Sequence, residues 1–238
     1  MTTLRITDRS QPSLMDSHTF AELVRPSAPA AVQTKASTGL AHFQKLHQAW
    51  RIYEASFPPD ERRALPEHLK ILLQPDYRFL CHRSPAGNIT GLIATWKLGG
   101  GEFTFIEHLA VDERLRGKGV GSKIVADLIK DKTNVVLEVE PAHLSPEAAR
   151  RIGFYQKLGF HTNDYTYYQP PYAPGKNAVE MKIMSYPNPL EHGKLDQFKQ
   201  LVYAQVYKVS PSCNFGAEPS ELGLERLLVP TPSFPLST

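Results

Sequence analysis

Three glycines at alternate positions mark the part of the chain whose residue types could do chemistry. Gly117, Gly119 and Gly121 stand between a strand-like stretch over 103–111 and a run of helical apolar spacing over 120–129. Glycine lets the backbone turn sharply and lets a ligand come close to the main chain. The first turn of a helix adds unpaired N–H groups and a partial positive charge. The stretch therefore predicts a helix N-terminus that binds a phosphate-bearing ligand.

The same stretch is basic, which favours an anionic ligand, but it does not fit two familiar phosphate loops. The basic residues are Arg114, Arg116, Lys118 and Lys123. A G-x-x-x-x-G-K-S/T loop is excluded because Gly121 is followed by Ser122 and only then by Lys123. A G-x-G-x-x-G fingerprint is excluded because Ser122 stands where the third glycine belongs.

Two other motifs do match a known pattern. Arg116, Gly119 and Gly121 fit Q/R-x-x-G-x-G/A, the pyrophosphate-binding signature of the GNAT superfamily of acyl-CoA-dependent N-acyltransferases, and HLAV at 108–111 supplies the expected preceding strand. Further on, RRIGFYQKLGF over 150–160 resembles the FYxKLGF element of the same superfamily. The chain therefore resembles a GNAT acetyltransferase, and the resemblance covers residues 41–187.

The order of predicted elements fits this resemblance. From the amino end, we predict helices, strands and turns in the order ααββ-β-α-β-α-ββ, followed by a last helix. The predicted bounds are a helix from Ala41 to before Pro58, a short helix through Leu73, strands over 77–82, 89–98 and 103–111, a helix over 120–129, a strand over 134–140, a helix from Ser145 to Leu158, strands over 160–168 and 177–186, and a helix over 193–208. The resemblance implies a mixed α/β, GNAT-like fold. Its central, twisted sheet is mixed but mostly antiparallel, is flanked by helices, and is splayed between its two central strands.

The two ends of the chain lack sustained apolar periodicity. We expect residues 1–38 to be a disordered N-terminal extension and residues 210–238 to be a disordered tail rich in proline and serine, with a short helical turn over 221–228. Between them, residues 39–209 form the acetyltransferase domain, which comprises the core resemblance over 41–187 and the helix over 193–208.

Composition narrows the class of protein. Of the 238 residues 41% are hydrophobic, which is enough for a core, and the net charge of +3 is too small to indicate nucleic-acid binding. Cys81 and Cys213 cannot form a disulfide framework or a cysteine-rich zinc site, so a reducing, cytoplasmic location is expected. No apolar run approaches the ~18 residues of a membrane span, and no secretory signal is recognisable.

Glu107 is the first candidate for a catalytic base. It interrupts an alternate row of apolar residues, Phe103, Phe105, Leu109 and Val111. Burial in that row would raise the pKa of its carboxyl group toward the range useful for accepting a proton from an amine. Two alternatives stay open: a strand bulge could turn Glu107 to solvent, or a basic neighbour could pair with it. Glu138, on the neighbouring strand, is the reserve candidate.

The resemblance implies roles for further residues. Backbone amides of the glycine loop, 116–122, would hold the pyrophosphate of acetyl-CoA, and the pantetheine arm would pair with the strand over 109–111, whose amides could also polarise the thioester. Tyr155 matches the family tyrosine that protonates the departing thiolate, although it could merely pack with Ile152. The expected cofactor-binding residues are Leu109, Ala110, Val111, Arg116, Gly117, Lys118, Gly119, Val120, Gly121 and Ser122.

The resemblance to the GNAT superfamily thus implies a transferase that moves an acetyl group from acetyl-CoA to a primary amine of a small molecule or peptide, by direct attack in a ternary complex. The segments 57–63 and 165–172 fall where the family lines its acceptor pocket. A non-catalytic acyl-CoA-binding or regulatory module is the alternative. We expect no metal, because the histidines lack ligand spacing, and no nucleic-acid or membrane partner. The protein would be a monomer or a homodimer.

Overall fold

The computed structural model describes residues 20–22, 35–130, 132–172, 177–210, 212–213 and 215. The helices in this part of the chain are α1 (Lys35–Ser56), α2 (Leu65–Ile71), α3 (Val120–Ile129), α4 (Pro146–Gln156) and α5 (His192–Val202). The strands are β1 (Phe20–Glu22), β2 (Tyr77–Arg83), β3 (Ile89–Leu98), β4 (Phe103–Val111), β5 (Val135–Val139), β6 (His161–Thr162), β7 (Tyr167–Gln169) and β8 (Val179–Tyr186).

The strands form a sheet in the order β1-β2-β3-β4-β5-β8-β6, and β7 also pairs with β8. Only β4 and β5 are parallel among these pairs, and α3 makes the crossover between them. Their register ends where Ile106 lies opposite Leu137, although β4 runs on to Val111 and β5 to Val139. The mixed, mostly antiparallel sheet and the splay at its centre are therefore confirmed.

Helices cover both faces of this sheet. On the α1/α5 face, side chains such as Tyr53 of α1 and Phe198 of α5 pack in one apolar cluster. On the α3/α4 face, Ile124 of α3 and Tyr155 of α4 belong to a second cluster. The two clusters pack on opposite faces of the sheet. A cavity at the splay between β4 and β5 is therefore in contact with both faces.

A β-bulge in β4 changes which face its residues point to. The register with β3 shifts between Ala94 and Thr95, which leaves Glu107 as the extra residue of β4. The apolar row predicted as one face is therefore wrong, because side-chain alternation reverses across a bulge. Its members divide between the faces: Phe103 and Phe105 lie in the α1/α5 cluster, whereas Leu109 and Val111 pack against the α3/α4 cluster.

The predicted strand over 160–168 is interrupted at Asn163. The Nδ2 of its side chain donates to the carbonyl of Ile183 at 3.1 Å, and its Oδ1 accepts from the amide of Leu190 at 2.8 Å. These bonds tie Asn163 to Ile183 within β8 and to the loop that follows β8, so the pairing along β8 is interrupted there and β6 and β7 are separate strands.

Other bounds also differ from those predicted. Helix α1 begins at Lys35 rather than near Ala41, and β1 pairs with β2 inside the stretch expected to lack structure, since three residues are too few to show a pattern. The last helix ends as a π-helical turn, Tyr203–Tyr207. Residues 1–19, 23–34 and 216–238, including the turn predicted over 221–228, lie outside the described residues.

Candidate functional site

The glycine loop, residues 116–122, presents free backbone amides at the start of α3. Gly119 precedes the helix with φ +80°, a conformation that favours glycine, and no side chain caps the helix there. The first helical bond runs from the amide of Lys123 to the carbonyl of Gly119 at 3.0 Å. The amides from Gly119 to Ser122 therefore have no partner within the helix, which is the arrangement that binds an anion.

Two of the four basic side chains near this loop have acidic partners. Arg114 binds Asp112, with Nη2 and Oδ2 2.6 Å apart, and Lys123 lies 3.7 Å from the carboxylate of Asp127. Arg116 and Lys118 are exposed. The positive charge that remains for an anion at this helix start therefore comes mainly from these two side chains and the helix itself.

One cavity of about 670 Å³ connects the glycine loop with the splay between β4 and β5. Its walls include all the predicted cofactor-binding residues except Lys118, which lies instead on a groove beside α1. Glu107, Glu138 and Tyr155 also line the cavity. The structure thus brings the predicted anion seat and the predicted acid–base residues together in one space, called the site cavity below.

Glu107 lies at this cavity as one half of a buried ion pair. Its side chain is fully buried; one carboxylate oxygen accepts from Arg63, and the other accepts from Trp96 Nε1 at 3.0 Å. Burial alone raises the pKa of Glu107, but the charges and hydrogen bonds of Arg63 and His108 outweigh it and hold that pKa well below its usual range. The expected rise is therefore wrong, and the alternative of a basic partner describes these contacts.

Glu138 of β5 has the opposite environment. Its two carboxylate oxygens accept hydrogen bonds from the hydroxyls of Tyr167 and Tyr207, the latter at 2.6 Å. Burial raises the pKa of Glu138 to about 7, and the two hydrogen bonds only partly offset this rise. A carboxyl group with this pKa is partly ionised at neutral pH and can accept a proton.

Tyr155 of α4 reaches the same cavity from the α3/α4 face. Its ring packs against Phe154 and Phe160, with ring centres 4.9 and 5.5 Å away. Burial raises the pKa of Tyr155 to about 12, so its hydroxyl keeps its proton at neutral pH. The side chain thus combines packing with a hydroxyl group that can donate a hydrogen bond.

The two segments predicted for the acceptor pocket contribute unequally. Phe57 and Glu61 line the site cavity, as do Gln169 and Tyr172. Tyr165, by contrast, is not among the residues of its walls and donates to Asp196 of α5 at 2.6 Å.

Sequence reasoning missed several residues that hold the two carboxylates. Arg63, Trp96, Tyr167 and Tyr207 were not singled out individually. Arg63 and Tyr167 lie in the two segments expected at the acceptor pocket, 57–63 and 165–172. Their pairing with the carboxylates could not be read from spacing, because Arg63 is 44 residues from Glu107 and Tyr207 is 69 residues from Glu138.

Neither a metal centre nor a membrane span is found in the described part of the chain. Within it, no three histidine, cysteine or acidic side chains are grouped so as to hold a metal ion. No helix there is long and apolar enough to cross a membrane.

Comparison with known proteins agrees with this geometry. Residues 45–160 match the model of the acetyltransferase (GNAT) family. The Bacillus subtilis (strain 168) protein YjbC, named as a candidate acetyltransferase, is 32% identical over 101 residues, which are 41% of this chain and 53% of YjbC, so the chain spans about half the length of this curated relative. A solved structure of a candidate GNAT acetyltransferase from Bacteroides thetaiotaomicron is 27% identical, with a TM-score of 0.64, and the match covers 75% of this chain and 98% of that one. Residues 45–160 therefore form a domain of the GNAT acetyltransferase family, the family that the glycine loop and the motif over 150–160 resemble.

Proposed function

We propose that this protein transfers the acetyl group of acetyl-CoA to a primary amine of a small molecule or peptide, by direct attack within a ternary complex. The observation that supports this most is the continuity of the site cavity, which runs from the uncapped N-terminus of α3 to Glu138 and Tyr155. The proposed anion-binding helix N-terminus and the two proposed acid–base residues therefore line the same cavity.

The chain's own residues fit acetyl-CoA, which supplies the reactive thioester when bound. The amides from Gly119 to Ser122 would hold its pyrophosphate, with Arg116 nearby. Residues 109–111 of β4 pair with β3 on one side, whereas their register with β5 has already ended at Ile106. The edge of β4 that faces the splay is therefore open to an extended, amide-bearing arm.

Glu138 is the better of the two carboxylates for accepting the amine proton. Glu107 is held ionised by Arg63, so its affinity for a proton is low. Glu138 has a pKa near the working pH, which is where a general base is most effective. The ion pair of Glu107 and Arg63 then serves as a rigid, electrically neutral wall of the cavity.

The transfer itself needs three contributions from the protein. The amine nitrogen attacks the thioester carbonyl while its proton passes to Glu138, directly or through water, and the carbon–sulfur bond breaks. Amides of the 109–111 segment would stabilise the charge that develops on the carbonyl oxygen. Tyr155 donates a hydrogen bond to the departing sulfur. The sulfur leaves as a thiolate, which is a fair leaving group because a thiol has a pKa of about 8.5.

A thiol-release assay tests this function. Acetyl-CoA is offered with panels of monoamines, polyamines and peptides bearing a free N-terminus or lysine, and we expect release of CoA that depends on one class of amine. Mass spectrometry of the product would show one added acetyl group on nitrogen. Tight binding of acetyl-CoA without turnover on any panel would contradict the proposal and indicate the non-catalytic binding module instead.

A further inference from the structure

The carboxyl-terminal helix does not end as a regular α-helix. After α5, residues Tyr203–Tyr207 form a π-helical turn, and Lys208 closes it with φ +58° while its amide bonds to the carbonyl of Tyr203. Such turns contain one more residue per hydrogen-bonded ring than an α-helix and frequently occur at functional sites. This turn lies beyond residues 45–160, the segment that the family model matches.

One contact of the turn reaches the Glu107 ion pair. The Val206 carbonyl accepts a hydrogen bond from Nη2 of Arg63 at 3.3 Å, while Nη1 of the same guanidinium binds Glu107. The Arg63 group also lies 4.8 Å from the centre of the Tyr172 ring. The backbone of the turn therefore fixes the orientation of the guanidinium that neutralises Glu107.

A second contact reaches Glu138. The Tyr207 hydroxyl donates to Oε2 of Glu138 at 2.6 Å and accepts from Nε2 of Gln169 at 2.8 Å. Gln169 thus leaves the Tyr207 proton directed at the carboxylate, because the hydroxyl oxygen is already an acceptor on its other side. Both Val206 and Tyr207 are buried.

These two contacts depend on the extra residue of the turn. In an α-helix, consecutive side chains are separated by about 100°, so removing one residue would rotate everything after it by that angle. The Val206 carbonyl and the Tyr207 hydroxyl could not then keep both partners.

We propose that the π-helical turn Tyr203–Tyr207 is a positioning element for the two carboxylates at the splay, with Tyr207 holding Glu138 and the Val206 carbonyl holding Arg63 against Glu107. The acid–base role of the positioned carboxylates rests on the proposed function. The inference adds that a segment outside the family-matched residues completes the acid–base site.

The groups around Glu138 decide how it responds to a change in the turn. The ionisable groups that face it are Tyr167 of β7, Tyr203 and Tyr207 of the turn, Tyr172, and Glu107 of β4. A hydroxyl that donates to the carboxylate stabilises its charged form and lowers its pKa, so loss of the hydroxyl raises that pKa.

The first test is Tyr207→Phe, which keeps the ring and removes the hydroxyl. The matched control is Tyr165→Phe, which also removes a hydroxyl bonded to a carboxylate, that of Asp196, but away from the site cavity. Glu138 is titrated by ¹³C NMR in protein labelled at glutamate Cδ, with its signal assigned from Glu138→Gln. We expect the Glu138 midpoint, and the acidic limb of kcat/KM, to rise by about one pH unit in Tyr207→Phe and to stay in place in the control.

A second variant tests the extra residue itself. Ala204 is exposed, so deleting it removes no buried side chain and shortens the π-helical turn to α-helical length. We expect acetyl-CoA affinity to be retained, the Glu138 midpoint to rise, and turnover to fall at least as far as in Tyr207→Phe.

An unchanged Glu138 midpoint in both variants, or an equal rise in Tyr165→Phe, would overturn the proposal. The NMR titration needs no turnover, so it decides the role of the turn even where the wild-type protein acetylates no amine, an outcome that would count against the proposed function alone.

Discussion

Two glutamates on neighbouring strands have the same side chain and opposite chemistry. Glu107 forms an ion pair with Arg63, whereas the carboxylate of Glu138 accepts hydrogen bonds from two neutral tyrosine hydroxyls. At the scale of single residues, the partner therefore decides which carboxylate stays ionised and which can take up a proton near neutral pH.

Replacing Glu138 by glutamine should remove the proposed base and leave the shape of the site. We expect kcat to fall by ~10²–10⁴-fold, and the loss of rate on acidification through about pH 7 to disappear, because its pKa there is about 7. Acetyl-CoA affinity, measured by calorimetry, should be unchanged because the glycine loop is untouched. A wild-type acidic limb in Glu138→Gln would contradict this assignment.

Glu107→Gln provides the contrasting variant. It leaves Arg63 buried without a charged partner, and breaking a buried ion pair from one side costs roughly 3–5 kcal/mol of stability. We expect a lower thermal midpoint and an acidic limb that persists but moves to lower pH, because the charge of Glu107 is one of the causes that raise the pKa of Glu138. Loss of that limb in Glu107→Gln, with the limb retained in Glu138→Gln, would return the role of base to Glu107.

His68 of α2 predicts a dependence of stability on pH. It is fully buried among the rings of Trp50, Tyr53, Tyr77 and Phe79, and neither ring nitrogen has a hydrogen-bond partner among the described residues. Burial lowers the pKa of His68 to about 4, whereas in the unfolded chain it is about 6.5. Between these values the unfolded state binds more protons, so stability is full above about pH 6.5 and falls on acidification toward pH 4.

His68→Phe should reduce this dependence. We expect the free energy of unfolding, measured in urea at pH 7 and pH 5, to drop by about 1–2 kcal/mol less in the variant than in the wild type. The comparison is needed because Glu138, with its raised pKa, contributes a slope of opposite sign in both proteins. Equal drops in the two proteins would show that His68 is protonated in the folded state or makes no difference to it.

At the scale of elements, the sequence was informative where the cause is local. The start of α4 is set by Ser145, whose side chain accepts from the amide of Ala148, and by the proline that follows it. The turn into α3 is likewise set by Gly117 and Gly119, both at positive φ. A bulge at Glu107 and a basic partner for it remained open alternatives, and nothing indicated the π-helical turn, because all three features arise from contacts between distant segments.

The loop before α3 gives the prediction at this scale. Gly119→Glu would force a side chain into φ +80° and add a negative charge beside the amides proposed to hold the pyrophosphate, so acetyl-CoA binding should weaken by more than about 100-fold. Gly100→Glu is the matched control, since Gly100 has φ +69° and equally open surroundings but lies in the β3–β4 turn. Calorimetry should show wild-type affinity in the control, and equal losses in both variants would mean that the effect is general destabilisation.

At the scale of the whole molecule, the candidate site residues are divided between the two faces of the sheet. The glycine loop and Tyr155 belong to the α3/α4 face, whereas both carboxylates and their aromatic partners belong to the α1/α5 face. The splay joins them through one cavity. Under the proposed function, acetyl donor and acceptor would therefore be bound at the same time, from opposite sides of the sheet.

This arrangement predicts sequential kinetics. No cysteine lines the site cavity in the described part of the chain, and burial raises the pKa of Cys81 to about 12, so a thiolate that could carry the acetyl group is not available there. Initial rates measured over a grid of acetyl-CoA and amine concentrations should give intersecting double-reciprocal lines, and Cys81→Ser and Cys213→Ser should retain turnover. Parallel lines, together with an acetylated protein trapped by mass spectrometry in the absence of amine, would instead show that the acetyl group passes through a covalent intermediate.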